Sequence, residues 1–203
     1  MPAPKLRMIA GPNGSGKSTL YNYLKENFRF NFGQYVNADI LEKQIRQTGL
    51  FRFNSVNLVN IEEQGINEFF FSHPLNIEKS KSHFAIKDNV LYAEAEKVTG
   101  YFAAILADYI RQQLIEEKEN FTFETVMSSR DKIELLKKAA DKGYRTYLGS
   151  ADYGPARAQG SARKAAEADS ARSELAVFLV YNAAAPHVLT GHPAAVARPL
   201  FQY

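Results

Sequence analysis

Gly11-Pro12-Asn13-Gly14-Ser15-Gly16-Lys17-Ser18-Thr19 fits the pattern G-x-x-x-x-G-K-[ST] and stands between an apolar run and a helical pattern. The pattern reads as a loop that cradles the phosphates of a nucleoside triphosphate. Glycines let the backbone turn so that successive N–H groups face phosphate oxygens, and the helix that follows adds its positive N-terminal end. Lys17 is then placed to reach the β and γ phosphates, and Ser18 to offer its hydroxyl to Mg²⁺, with Thr19 beside it on the first helical turn. Leu6, Met8, Ile9 and Ala10 before the loop read as a short buried strand, and Leu20, Tyr21 and Leu24 after it recur at helical spacing. Strand, loop, helix is the order the motif needs.

Working outward, the spacing predicts a first helix from about Ser18 to Asn27 and a second strand through Tyr35 and Val36 that ends at Asn37-Ala38-Asp39. Ligands of parallel α/β sheets collect at the carboxyl ends of strands, so a carboxylate there faces the crevice of the phosphate loop. Asp39 is accordingly a candidate general base. It is equally a candidate N-cap for a helix over Ile40 to Gln47, and the two roles are compatible.

From Leu50 to Asn89 the pattern loosens into an aromatic-rich stretch, read as an insertion at about 50–92 lying over the nucleotide crevice. Within it Ile61 to Phe71 suits a short helix. Phe84-Ala85-Ile86 and Val90-Leu91-Tyr92 flank Lys87-Asp88-Asn89 as a hairpin. Its aromatics either fill a local core or stack on a substrate, and His73 and His83 read as surface residues. Thr99 to Lys118 has the clearest helical stripe, through Phe102, Ile105, Leu106, Tyr109, Ile110 and Leu114. The strand Phe121 to Thr125 delivers Glu124 and Thr125 to the carboxyl edge, and helix Asp131 to Ala140 with strand Tyr144 to Leu148 completes a further βα unit. The fold class implied is α/β of the P-loop NTPase type, a mainly parallel sheet with helices on both faces.

The 203 residues suffice for one such domain. The net charge of +3 suits small anionic ligands without arguing for nucleic acid. There is no cysteine, and His73, His83, His187 and His192 lack ligand spacing, which argues against a structural zinc site. Neither a signal segment nor an apolar run of about 18 residues is present, so a cytoplasmic protein without a membrane span is expected.

Three stretches together carry a family resemblance: Gly11 to Thr19, Val36-Asn37-Ala38-Asp39, and Phe121-Thr122-Phe123-Glu124-Thr125-Val126-Met127-Ser128-Ser129. In order and spacing they resemble the zeta-toxin-like P-loop kinases over about residues 5–148. The resemblance implies ATP (or GTP) and Mg²⁺ as cofactors, phosphorylation of a small-molecule hydroxyl such as that of UDP-N-acetylglucosamine, and an antitoxin protein as partner. By the same resemblance Lys17 grips the transferring phosphoryl group, Asp39 takes the proton, and Glu124, with Thr125 beside it, orients the substrate.

Two departures bear on this expectation. Val126 and Ser128 stand where sugar-nucleotide kinases of the family carry a Thr and then an Arg, leaving Arg130 as the candidate substitute. Residues 149–203 show no Arg-rich lid with a Gly-Gly-His stretch. They hold 15 alanines against 11 in the 148 residues before, which marks a divergent segment whose Arg157, Arg163 and Arg172 are the available replacements. A shifted reading frame would give such a boundary, and translating the other frames of the coding DNA beyond Leu148 tests for it. The alternative expectation is a nucleotide-binding module with little turnover because its lid is altered. A kinase for nucleic-acid hydroxyls is the third, disfavoured by the weak basicity.

Overall fold

The computed structural model describes residues 2–27, 31–77, 83–126 and 131–150. Met127 to Arg130 and residues 151–203 lie outside them, and with them Arg130 and every expectation about the C-terminal segment beyond Ser150. Among the described residues seven strands and five α-helices follow in order. They are β1 (Lys5–Ala10), α1 (Lys17–Asn27), β2 (Gln34–Val36), α2 (Ala38–Thr48), β3 (Leu50–Arg52), α3 (Glu63–Ser72), β4 (Phe84–Lys87), β5 (Val90–Ala93), α4 (Gly100–Glu116), β6 (Phe121–Thr125), α5 (Asp131–Asp141) and β7 (Arg145–Ser150).

A four-stranded sheet has the order β2-β6-β1-β7 and every pair is parallel. Parallel pairing puts the carboxyl ends of all four strands at one edge. Side chains alternate along β1, so Leu6 and Met8 enter one cluster with Ile105, Leu106, Ile110 and Leu135 of α4 and α5, while Ile9 meets Leu20, Tyr21 and Leu24 of α1. Helices therefore cover both faces, as expected of this fold class. On the α1 face the buried Arg7 donates from Nη1 to the Asn31 carbonyl at 2.7 Å and lies over the rings of Phe32 and Tyr147.

The aromatic stretch is not loose. β3, β5 and β4 form a second, antiparallel sheet, in which the strand Leu50–Arg52 was not foreseen. Its pattern is hidden because a three-residue strand is too short to show alternation. The expected hairpin is present, and its turn holds Asp88 and Asn89 at φ 51° and 61°, the conformation a type I′ turn requires. Asn89 also clamps the neighbouring loop: its Oδ1 accepts from Ile61 N at 3.0 Å and its Nδ2 donates to Leu58 O at 2.7 Å. Phe51, Phe53, Phe70 and Leu91 are buried in the same core as the parallel sheet, and Phe70, Phe84 and Phe102 contact one another ring to ring.

His73 corrects a surface assignment. It ends α3, and its Nε2 lies 3.1 Å from Oδ2 of Asp108 on α4, with both side chains mostly buried. Asp108 Oδ1 also accepts from Arg111 at 2.5 Å and from Lys132 of α5 at 3.3 Å, so one carboxylate ties three helices together. A single histidine at a helix end carries no sequence signal of a partner 35 positions away. Burial by itself raises the Asp108 pKa, but the His73 hydrogen bond and the charges of Arg111 and Lys132 outweigh it and hold the carboxyl far below the ordinary value of 3.8.

Folded Asp108 thus holds its proton less tightly than the unfolded chain does. Its contribution to stability is complete above pH 3.8 and is lost as the pH falls below that value. Asp108→Asn, which leaves the buried Arg111 without its counter-charge and Lys132 with Asp131 alone, is expected to lower stability at pH 7 by about 3 kcal/mol. It should also flatten the acid limb, as read from urea unfolding between pH 3 and pH 7.

Candidate functional site

The loop between β1 and α1 is closed by backbone hydrogen bonds from Ser15 N to Pro12 O at 3.2 Å and from Gly11 N to Thr125 O at 3.1 Å. The first bond of the helix runs from Leu20 N to Gly16 O. The N–H groups of Lys17, Ser18 and Thr19 precede it and so have no acceptor within the helix. Gly14 and Gly16 take φ 77° and 86°, and nothing stands within 4 Å of where a Cβ would be on either. The glycines are there for backbone conformation, and the space over them is open. Gly33 differs: at φ 63° a Cβ would collide with the Asn120 carbonyl oxygen at 1.8 Å.

Lys17 folds back over the loop, donating from Nζ to Gly11 O at 2.9 Å and Pro12 O at 2.8 Å. Its ammonium is held on the cradle by neutral carbonyls. Ser15 is buried, and its Oγ has no hydrogen-bond partner among the described residues.

Glu124 stands in register with Ile9 on the neighbouring strand, at the carboxyl edge. Its Oε2 accepts from the Ser18 hydroxyl at 3.0 Å and its Oε1 from the Tyr35 hydroxyl. The Tyr35 oxygen in turn accepts from Asn37 Nδ2 at 3.3 Å, and its ring stacks on Tyr21 of α1 with centroids 3.8 Å apart. Burial, and then the bond to Glu124, push the Tyr35 pKa well above the ordinary tyrosine value, so Tyr35 stays a neutral donor. Tyr35 and Asn37 belong to the site; the sequence reading has Asn37 only as part of the strand end Asn37-Ala38-Asp39 and assigns a role to neither. Tyr35 read only as a strand residue, although an aromatic hydroxyl at the last turn of a strand leading into Asn-Ala-Asp was the available cue.

Asp39 lies in the first turn of α2 and is exposed. The capping reading is corrected: Asn37 is the N-cap, its Oδ1 accepting from Asp39 N at 2.9 Å and Ile40 N at 3.4 Å. Asn37 is extended, as a cap must be, and Asp39 is already helical. As β2 is parallel to β6 and Val36 pairs with Phe123, Asn37 and the Asp39 turn begin at the edge where Glu124 stands. Thr125 contributes through its backbone carbonyl, which accepts from Gly11.

No family model and no curated protein matches this sequence. Solved structures do. One is described as a "putative kinase" from Chloroflexus aurantiacus J-10-fl, with 10% identity, a TM-score of 0.40, 74% of this chain covered and 59% of that one. Another comes from the PezAT chromosomal toxin-antitoxin system of Streptococcus pneumoniae, with 13% identity, a TM-score of 0.39, 81% of this chain covered and 54% of that one. The chain spans less than two thirds of the length of either.

The residues present fit a triphosphate: an open glycine cradle, three helix N–H groups without helical acceptors, and a lysine displaced onto backbone oxygens. They also fit Mg²⁺ carried by that triphosphate. Among the described residues no group of three His, Cys, Asp or Glu could hold a metal by itself. Mg²⁺ ordinarily takes one or two protein ligands and completes its shell with phosphate and water, which Ser18 and Glu124 can accommodate. Among the described residues no helix is long and apolar enough to cross a membrane.

Two loop variants should move stability in opposite directions. Gly16→Ala forces φ 86° on a residue with a Cβ and should cost about 1 kcal/mol although the space is open. Ser15→Ala removes a buried hydroxyl that has no partner among the described residues and should raise stability by up to about 1 kcal/mol. Urea denaturation of the ligand-free chains measures both.

Proposed function

We propose that this protein is a kinase of the zeta-toxin-like type, transferring the γ-phosphoryl group of ATP or GTP to a hydroxyl of a small metabolite. The observation that carries the reading is the hydrogen bond from Ser18 to Glu124. It joins the loop hydroxyl to a strand-end carboxylate at the edge where Lys17 and the Asp39 turn also begin. Phosphoryl transfer asks little covalent chemistry of a protein and much positioning and charge stabilisation, which these elements supply.

In this reading the N–H groups of Lys17, Ser18 and Thr19 bind phosphate oxygens, and Lys17 exchanges the carbonyls of Gly11 and Pro12 for the β and γ phosphates. Because Ser18 donates its proton to Glu124, the lone pairs of its oxygen are free to face the cradle. Ser18 and Glu124 would hold Mg²⁺ carried by the nucleotide, which would supply neutralisation of the phosphate charge. Asp39, exposed beyond the loop, accepts the proton of the acceptor hydroxyl. UDP-N-acetylglucosamine as acceptor, an antitoxin as partner and a cytoplasmic setting rest on the family resemblance alone.

A second reading, a nucleotide-binding module with little turnover, draws on where the described arginines are. Arg7 is buried on the α1 face of the sheet, Arg46 pairs with Glu42, Arg52 is exposed on β3 of the second sheet, Arg111 pairs with Asp108, and Arg145 begins β7 at the opposite edge. An arginine on the transferring group is commonly worth about 10³-fold or more in rate.

Labelled ATP incubated with Mg²⁺ and either UDP-N-acetylglucosamine or a metabolite extract separates the two readings. The kinase reading expects a labelled acceptor, with turnover reduced about 100-fold or more in Asp39→Asn while nucleotide affinity is kept. Lys17→Ala should lose both. Nucleotide binding without transfer to any acceptor favours the module, and unchanged turnover in Asp39→Asn removes Asp39 from the base role.

A further inference from the structure

We infer that Tyr35 is a positioning residue that fixes the Glu124 carboxylate against Ser18 and, through Asn37, joins the nucleotide site to the start of the helix bearing Asp39. The inference deepens the nucleotide reading and rests on it. Four residues from separate elements form one continuous chain. Ser18 donates to one oxygen of Glu124, Tyr35 donates to the other, Asn37 Nδ2 donates to the Tyr35 oxygen, and Asn37 Oδ1 caps α2 at Asp39 and Ile40. Each polar atom of Asn37 is thereby committed, one to Tyr35 and one to the helix.

The direction of donation matters. A carboxylate accepts only, so with Tyr35 on Oε1 the rotamer that presents Oε2 to Ser18 is selected, and the Ser18 proton is drawn away from the loop. Without the Tyr35 hydroxyl, Glu124 is free to turn, and the Ser18 oxygen loses its fixed orientation toward a cation on the phosphates. The Tyr35 ring is itself held, by stacking on Tyr21 of α1, so the hydroxyl is placed by the same helix that carries Ser18. A purely structural tyrosine would satisfy its hydroxyl with a backbone carbonyl, as Tyr144 does with Leu114 O and Glu119 O. Tyr35 instead spends its proton on an acidic side chain that also holds the loop.

The test is the affinity of the full chain for a fluorescent ATP analogue, measured in EDTA and in Mg²⁺, so that each chain serves as its own reference. The readout is the ratio of the two affinities, which a loss of fold does not move selectively. Tyr35→Phe keeps the stacked ring, and its ratio is expected to fall about tenfold relative to the parent. Asn37→Ser keeps a capping oxygen and loses the donor to Tyr35, and a smaller fall in the same direction is expected. In the double variant Tyr35→Phe/Glu124→Gln the losses should not add, because both act on one bond. A parent ratio carried unchanged into Tyr35→Phe and Asn37→Ser overturns this inference alone. A parent that binds the analogue in neither buffer overturns the nucleotide reading and this one with it.

Discussion

The parallel pairing of β1 with β6 is the constraint on which the site depends. It sets Ile9 opposite Glu124 and Ala10 opposite Thr125, so the glycine-rich loop leaves its strand at the level where the carboxylate stands. The loop is then fastened to that neighbour by the bond from Gly11 N to Thr125 O. A slip of one residue would turn Glu124 to the other face of the sheet and break its contact with Ser18, since strand side chains alternate. Both strands are almost wholly buried before they reach the edge, which makes such a slip costly: Leu6, Met8, Phe121 and Phe123 would exchange faces with Arg7 and Thr122. The hydrophobic pattern that builds the core is therefore also what aligns the chemistry.

Charge buried behind the sheet serves the same alignment. Arg111 packs its guanidinium over the Phe123 ring, one residue before Glu124, and is held there by Asp108. Asp108 in turn draws in His73 and Lys132, so α3 and α5 are pinned to α4 at a point behind the strand end. Buried ion pairs return little net stability against apolar packing, but removing one partner is costly, and that asymmetry favours a single arrangement of the helices. Thr122 adds a neutral counterpart on the other face, donating to Phe32 O at 2.7 Å where the chain enters β2.

Much of this was legible in the sequence because it is local. The glycine pattern, the apolar run before it and the helical spacing after it lie within 24 residues of the N-terminus, and the strand ends at Asn37-Ala38-Asp39 and Phe121 to Thr125 announce themselves by composition. The α4 stripe was read correctly, and Thr99 caps it, its hydroxyl accepting from Phe102 N at 3.2 Å. What was not legible depends on contacts distant in sequence. Tyr35 meets Glu124 from 89 positions away, His73 meets Asp108 from 35, and β3 exists because Leu50 to Arg52 finds β5. The capping of α2 was a closer matter: Asn37 and Asp39 are both good caps, and the choice fell to Asn37 because β2 ends one residue earlier, leaving Asn37 extended.

The loop itself is poised rather than relaxed. Positive φ at Gly14 and Gly16 holds the loop open without a ligand, which on the proposed reading leaves little backbone ordering to oppose anion binding. Yet among the described residues Lys17 is satisfied by carbonyls alone, and Ser15 is buried with a hydroxyl that has no partner. A charged acceptor offers the ammonium a hydrogen bond about twice as strong as a neutral one. On the proposed reading, exchange of the Gly11 and Pro12 oxygens for phosphate is downhill for Lys17, and it frees the Pro12 carbonyl at an exposed part of the loop where water can take it. The Ser18 hydroxyl needs no such exchange, because Glu124 already holds its proton on the far side. On that reading lysine is the component that moves on binding and serine the component that waits in place, so the carboxylate behind the serine, and whatever fixes that carboxylate, matters as much as the loop.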